Sequence, residues 1–204
     1  MVTEGVLDAS PMDRIPVPVA RLDQVMPFDP DEVKRLIIAA RGGPFPRRNE
    51  AIIRLLYDTG LRASELCSIK VSDLEMSERR LTVVGKGNKR RVVAFGAKTA
   101  RALWAYARDV APERALFEGE RGPLTRSGLQ QLMTKAGIAA GVRDVHPHRL
   151  RHTFAVEFLR AGGNVFTLQT ILGHTHLQMT QRYVAVAQAD VVVQQRRHAP
   201  GDKL

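Results

Sequence analysis

The residues able to do chemistry fall in four short stretches. The first is TGLRASEL, Thr59–Leu66, with Arg62 between a helix stop and a helix start. The second is GKGNKRR, Gly85–Arg91, where the glycines of a turn let the backbone approach a partner closely. Lys86, Lys89, Arg90 and Arg91 crowd that turn and are suited to gripping phosphates. The third is HPHRLRHTFA, His146–Ala155, in which His148 and Arg151 are three apart and share a helix face. The fourth is LGHTHLQMTQRYV, Leu172–Val184, with His174 just after a glycine and Tyr183 nine residues beyond it. Taken singly, each has a bland reading: a surface arginine, a solvated hairpin tip, structural histidines, a packing tyrosine. Taken together, Arg62, Lys86, His148, Arg151 and His174 are cationic or able to become so. Such a set can surround a phosphodiester and stabilise the extra charge of its transition state. That chemistry needs a nucleophile, and Tyr183 is the available group. The Ser/His/Asp order of a hydrolase and the paired carboxylates of a two-metal nuclease are both missing. A zinc reading of His146, His148, His152, His174 and His176 is weak. No glutamate follows His148, and Arg149 and Arg151 would repel a divalent cation.

Charge and length agree with an anionic partner. The chain has 204 residues, 44% of them hydrophobic, enough for one core-forming domain of ordinary size. Its formal net charge is +10, from 31 Lys and Arg against 21 Asp and Glu. Residues 1–27 hold two basic and four acidic residues and residues 184–204 three basic and two acidic, which leaves +11 on residues 28–183. A basic body with acidic or near-neutral ends points to nucleic acid. The single cysteine, Cys67, excludes an internal disulfide and cysteine-rich zinc modules. The start is acidic and lacks the apolar stretch of a signal peptide. No apolar run approaches the roughly 18 residues of a membrane span.

The elements that must position these residues are mostly helical. Residues 1–28 carry Pro11, Pro16, Pro18 and Pro27 and read as a linker or arm. Asp29-Pro30-Asp31-Glu32 is a helix start, followed by an apolar stripe of Val33, Leu36, Ile37 and Ala40. A second helix spans about 47–59, with Ile52, Ile53, Leu55 and Leu56 inward and Gly60 as its stop. A short helix is expected near 63–68. Arg80–Val84 and Arg91–Phe95 flank the glycine-rich turn as a β-hairpin. Further helices are expected over 97–110, 125–140, from His146-Pro147 to Gly162-Gly163, from Asn164 to Gly173, over 177–187 and over 188–197. Leu150, Phe154 and Phe158 line the packing face of the helix that carries Arg151. The expected fold class is α+β, mostly α-helical, with one small antiparallel sheet.

With these residues in view, the sequence resembles the tyrosine recombinase (phage integrase) family, nearest to its Xer-type members. TGLRASEL resembles the family's first arginine box, and GKGNKRR its β-hairpin lysine motif. HPHRLRHTFA resembles its His-x-x-Arg box, and LGHTHLQMTQRY its LGH…TxxxY ending. The four occur in family order over roughly residues 28–198. The resemblance implies the family's catalytic-domain fold, over 29–187, with a C-terminal helix and tail at 188–204 suited to docking on a neighbouring protomer. It implies that Tyr183 attacks a DNA phosphate, giving a 3′-phosphotyrosyl link and a free 5′-hydroxyl. Arg62 and Arg151 would hold the non-bridging oxygens, and His174 would add a hydrogen bond. Lys86 would be the general acid for the leaving oxygen, and His148 the proton acceptor for Tyr183. Lys89, Arg90, Arg91 and Arg149 are the expected further DNA contacts. The family's chemistry implies no metal or other cofactor. Its implied partners are double-stranded DNA recombination sites and three further copies of the chain, in a tetramer assembled on DNA from a monomer. The implied setting is the cytoplasm of a prokaryote, with no membrane partner. The family usually carries an N-terminal helical core-binding domain, whereas 28 residues precede the catalytic segment here. The expectation is an excised catalytic domain. The other functional readings are DNA relaxation of the type IB topoisomerase kind and a non-catalytic DNA-binding module derived from an integrase.

Overall fold

The computed structural model describes residues 26–108 and 110–187, together with 195, 199 and 201. Most of the expected lead-in and of the expected C-terminal helix at 188–197 therefore lies outside the described residues.

Helix α1 spans Pro30–Ala40, and its start is tied by a hydrogen bond from the Asp29 backbone N–H to the Glu32 carboxylate at 2.9 Å. Its Val33, Leu36 and Ala40 are buried, as the stripe predicts, whereas Ile37 is only partly so. Phe28, just ahead of it, is buried too, and its backbone N–H donates to Thr153 Oγ1 at 2.9 Å. Helix α2, Pro46–Thr59, is the central helix: Ala51, Ile52, Ile53, Leu55 and Leu56 are fully covered. It packs against α1, against α4 (Ala97–Ala107) and against α6 (Pro147–Arg160). Gly60 ends α2 in the left-handed conformation, φ +61°. A short helix α3, Ala63–Ser68, follows at once.

Strands β1 (Leu74–Glu75), β2 (Arg80–Val84) and β3 (Arg90–Ala94) form an antiparallel sheet in the order β1-β2-β3. In the hairpin Leu81 pairs with Val93 and Val83 with Arg91, so these four face inward together. The tip is a 3₁₀ turn over Lys86–Asn88. A second, two-stranded pair, β4 (Glu118–Gly119) with β5 (Gly122–Pro123), was not expected. Each of its strands is two residues long, too short to show a period. Helix α4 ends at Ala107, three residues earlier than the pattern suggests.

Helix α5, Arg126–Ala140, is capped by Thr125 and packs on α1. Helices α6, α7 (Val165–Leu172) and α8 (Gln178–Ala187) form a second packed unit. Its core is Ala155, Val156, Leu168, Leu172 and Tyr183, with Phe154 and Phe158 against it. The mostly helical fold with a small antiparallel sheet is the expected one. Among the described residues, no helix is long and apolar enough to cross a membrane.

Candidate active site

A cleft of about 590 Å³ opens where α3, α5, α6 and α8 meet. Arg62, Arg126, His146, His148, Arg151, His174, Arg182 and Tyr183 line it, with Leu61, Ala63, Gln130, Pro147 and Met179. The lining contains four arginines and three histidines and no carboxylate. Such a wall carries a field that favours an anion.

Arg62 sits at the start of α3, where its backbone N–H bonds the Glu65 carboxylate at 2.8 Å. Its guanidinium reaches Glu65 Oε1 at 2.9 Å and the Gly173 carbonyl at 3.1 Å. Arg151, on α6, is buried. Its Nη1 donates to the Gly60 carbonyl at 2.6 Å, and its Nη2 to the Leu172 carbonyl at 2.8 Å. Burial, and then the nearby Arg62 charge, pull the Arg151 guanidinium down to about 10. At neutral pH it remains a cation, held by carbonyl dipoles.

His174 follows the left-handed Gly173 that ends α7, and its backbone N–H closes on the Gln169 carbonyl at 3.1 Å. The imidazole is buried, with Nε2 3.0 Å from Arg151 Nη2 and Nδ1 2.8 Å from Thr180 Oγ1. An arginine N–H can only donate, so Nε2 accepts and Nδ1 carries the proton. Burial and then Arg151 lower the His174 pKa to about 4, which keeps the ring neutral. His148 is exposed to solvent on the cleft wall, and its pKa is lowered by partial desolvation there and then by Arg151.

Tyr183 is the surprise of the site. It lines the cleft, yet only 1% of it is exposed. Its ring stacks near His174, with centroids 6.2 Å apart, and lies 5.3 Å from the tilted ring of His152. The helical pattern of α8 gave no sign of this, because a phenol at the core face of a helix reads the same whether it packs or reacts.

Arg62, His148, Arg151, His174 and Tyr183 are thus brought together from four segments, His148 and Arg151 sharing α6. The backbone of Lys86 lies at the hairpin tip, and its side chain lies outside the described residues. Lys89 and Arg90 are exposed on that hairpin. Arg91 and Arg149, expected as DNA contacts, are placed differently. Arg91 points inward and is held by Glu65 and the Ile171 carbonyl. Arg149 lies over the Phe28 ring at 3.8 Å and donates to the carbonyls of Met26 and Arg143. Both are engaged in protein contacts because the hairpin and helix registers turn them to packed faces.

Several site residues escaped the sequence reading. Glu65 is the buried carboxylate beneath the arginines, 4% exposed. The Arg-x-x-Glu spacing across a helix start was the signal that would have found it. Thr180 Oγ1 accepts a hydrogen bond from His174 Nδ1 in the tautomer that Arg151 selects. His152 Nε2 is a buried polar atom without a hydrogen-bond partner. Arg126 and Gln130, one turn apart on α5, form the opposite wall. Among the described residues, no group of three or more His, Cys, Asp or Glu is arranged to hold a metal ion.

The family model described as "Phage integrase family" matches residues 27–190. The chain belongs to that family. It is 39% identical to the tyrosine recombinase XerC of Bacillus pumilus (strain SAFR-032), across 83% of this chain and 60% of that protein. It is 38% identical to the tyrosine recombinase XerC of Mycobacterium tuberculosis (strain CDC 1551 / Oshkosh), across 97% of this chain and 71% of that protein. The crystal structure of XerA recombinase superposes with a TM-score of 0.73 at 34% identity, covering 86% of this chain and 64% of that one. The catalytic domain of bacteriophage HP1 integrase shares the fold, with a TM-score of 0.66 at 24% identity over 85% of this chain and 95% of that one. This chain therefore spans about three fifths of the length of the Bacillus relative it matches.

Proposed function

We propose that residues 29–187 are the catalytic domain of a site-specific DNA recombinase that breaks and rejoins strands through Tyr183. The observation that carries this reading is the tyrosine set into a carboxylate-free wall of arginines and histidines. A DNA phosphate enters the cleft and takes Arg62 and Arg151 on its non-bridging oxygens, which a planar guanidinium suits well. The Tyr183 oxygen attacks phosphorus and the bond to the 5′-oxygen breaks. The phenol proton passes to His148, and the leaving 5′-oxygen takes a proton from Lys86. A 3′-phosphotyrosyl link and a free 5′-hydroxyl result, and reversal of the same steps reseals a strand. The covalent link keeps the phosphodiester energy, so no nucleotide is consumed.

Electrostatics support the role given to His174. Burial, and then Arg151 and Arg62, disfavour the protonated form of this ring. A bound phosphate supplies the missing negative charge and so favours a protonated ring, whose Nε2 can then donate to a phosphate oxygen. Tyr183 is almost fully covered, and a shift of α8 that uncovers it would tie cleavage to assembly on DNA. Partners follow from the same reading: double-stranded recombination sites, and a tetramer of this chain with the segment 188–204 docking on a neighbour. Several of the solved structures of similar fold are recombinases or integrases in complex with DNA. The setting is the cytoplasm of a prokaryotic cell. The test is a nicked suicide substrate, which traps a covalent protein–DNA complex. Tyr183→Phe abolishes that complex while the protein still binds DNA; an adduct that persists in the variant sinks the assignment.

A further inference from the structure

Arg91 was expected to touch DNA, but only 11% of its side chain is exposed. Its guanidinium is committed on every side. Nη1 and Nη2 each donate to a different oxygen of Glu65 at 2.8 Å, the paired geometry that makes arginine–carboxylate contacts strong. Nε donates to the Ile171 carbonyl at 2.6 Å. An ideal Cβ placed on Gly173 would lie 3.3 Å from Arg91 Nη1, and one on Gly85 would lie 3.6 Å from the same atom. The guanidinium is therefore packed beneath two glycine backbones.

Each contact leads to a different part of the proposed site. Glu65 holds Arg62 through a side-chain bond at 2.9 Å and a backbone bond at 2.8 Å. Ile171 and Gly173 belong to the end of α7, the segment that delivers His174. Gly85 immediately precedes Lys86 in the hairpin. The last carbonyls of this α7 end are shared out: Ile171 to Arg91, Leu172 to Arg151 and Gly173 to Arg62. A helix C-terminus carries partial negative charge and attracts such cations.

We propose that Arg91 is a positioning residue for strand cleavage, the joint that fixes the hairpin of Lys86, the helix start of Arg62 and the α7 end before His174 in one arrangement. It does not contact DNA. The proposal rests on the recombinase reading above for its consequence in catalysis. Its geometric content, the Arg91–Glu65 link, stands apart from that reading. Burial pushes the Glu65 carboxyl up, and Arg91 is the main group that holds it low instead. Without Arg91 the carboxyl keeps only its Arg62 contacts against burial, so its pKa rises. A protonated Glu65 holds Arg62 less well.

The test uses Arg91→Lys and Arg91→Gln beside the wild type. Lysine keeps the charge but cannot span both carboxylate oxygens. Cleavage of a suicide substrate is followed from pH 5.5 to 8.5, with DNA binding measured against salt concentration. Both variants are expected to cleave on the order of 10- to 100-fold more slowly at pH 6, with partial recovery as pH rises and Glu65 ionises. The salt slope of DNA binding stays that of the wild type. A slope reduced by about one, with binding lost in step with cleavage, would mark a phosphate contact and overturn the proposal. So would a pH profile parallel to the wild type. Carbon NMR titration of the Glu65 carboxyl gives an answer independent of activity. Its pKa rises in Arg91→Lys if the link exists, and an unmoved value refutes it. If the wild type forms no covalent complex, the recombinase reading fails, while the NMR titration still decides the link.

Discussion

Replacing Arg151 by lysine turns its buried setting into a measurable pH dependence. The surroundings bring the guanidinium down to about 10, through burial first and the Arg62 charge second. A lysine holds its proton less firmly than an arginine to begin with, and the same surroundings would lower its pKa further. The variant then loses its charge at a lower pH than the wild type does. Geometry adds a second loss. Nη1 serves Gly60 while Nη2 serves Leu172 and His174, and one ammonium cannot reproduce that fork. Loss of one such transition-state contact costs about 10²–10³ in rate, or roughly 3–4 kcal/mol. The expected result is a covalent-complex rate about 10²–10³ below wild type at pH 7. The ratio of variant to wild type then falls further toward the alkaline end of the range, as the lysine gives up its proton. The assay is the rate of adduct formation on a nicked substrate between pH 6.5 and 9.5, with DNA binding measured alongside. A ratio that stays flat across this range would show that the cleft does not lower a cation's pKa as argued. DNA binding that disappears in step with cleavage would show that Arg151 acts in binding rather than in the reaction.

Two further outcomes concern stability. His152 and His174 are held at about 4, chiefly by burial, against an ordinary 6.5. The folded state thus prefers them neutral and the unfolded chain binds more protons between pH 6.5 and 4. Stability falls as pH drops through that window and levels off below it, by at most about 3 kcal/mol for each ring. Urea midpoints between pH 7 and 4.5 should therefore fall less steeply for His152→Leu, which also removes an unpaired buried nitrogen, than for the wild type; equal slopes would count against the assignment. Gly60→Ala places a Cβ against the Phe154 ring and the Leu172 methyl in a left-handed backbone. A loss of about 2–4 kcal/mol is expected by urea unfolding, and less than about 1 kcal/mol would refute the packing argument.

Much of this protein was legible in the order of its residues. Apolar periodicity placed α1 and α2, since burial of one helix face depends only on spacing along the chain, and start and stop residues placed α6 and α7. Glycines marked the ends of α2 and α7, because Gly60 and Gly173 adopt positive φ that other residues resist. The four motifs named many of the residues of the cleft, since local helix starts, turns and stops decide where Arg62, His148, Arg151 and His174 emerge. Other properties depend on contacts between segments far apart in sequence. Arg91 and Arg149 looked like Lys89 and Arg90 in the sequence, and only packing separated inward from outward arginines. Glu65 gained its place from Arg91, 26 residues away. The neutral state of His174 comes from burial and from arginines on other elements. Burial of Tyr183 arises from the packing of α8 on α6, which no local pattern encodes. Sequence by itself determined which side chains were available and at which element ends they would stand. Tertiary structure decided their charge states, their partners and the covering of the tyrosine, because desolvation and Coulomb interaction act through space.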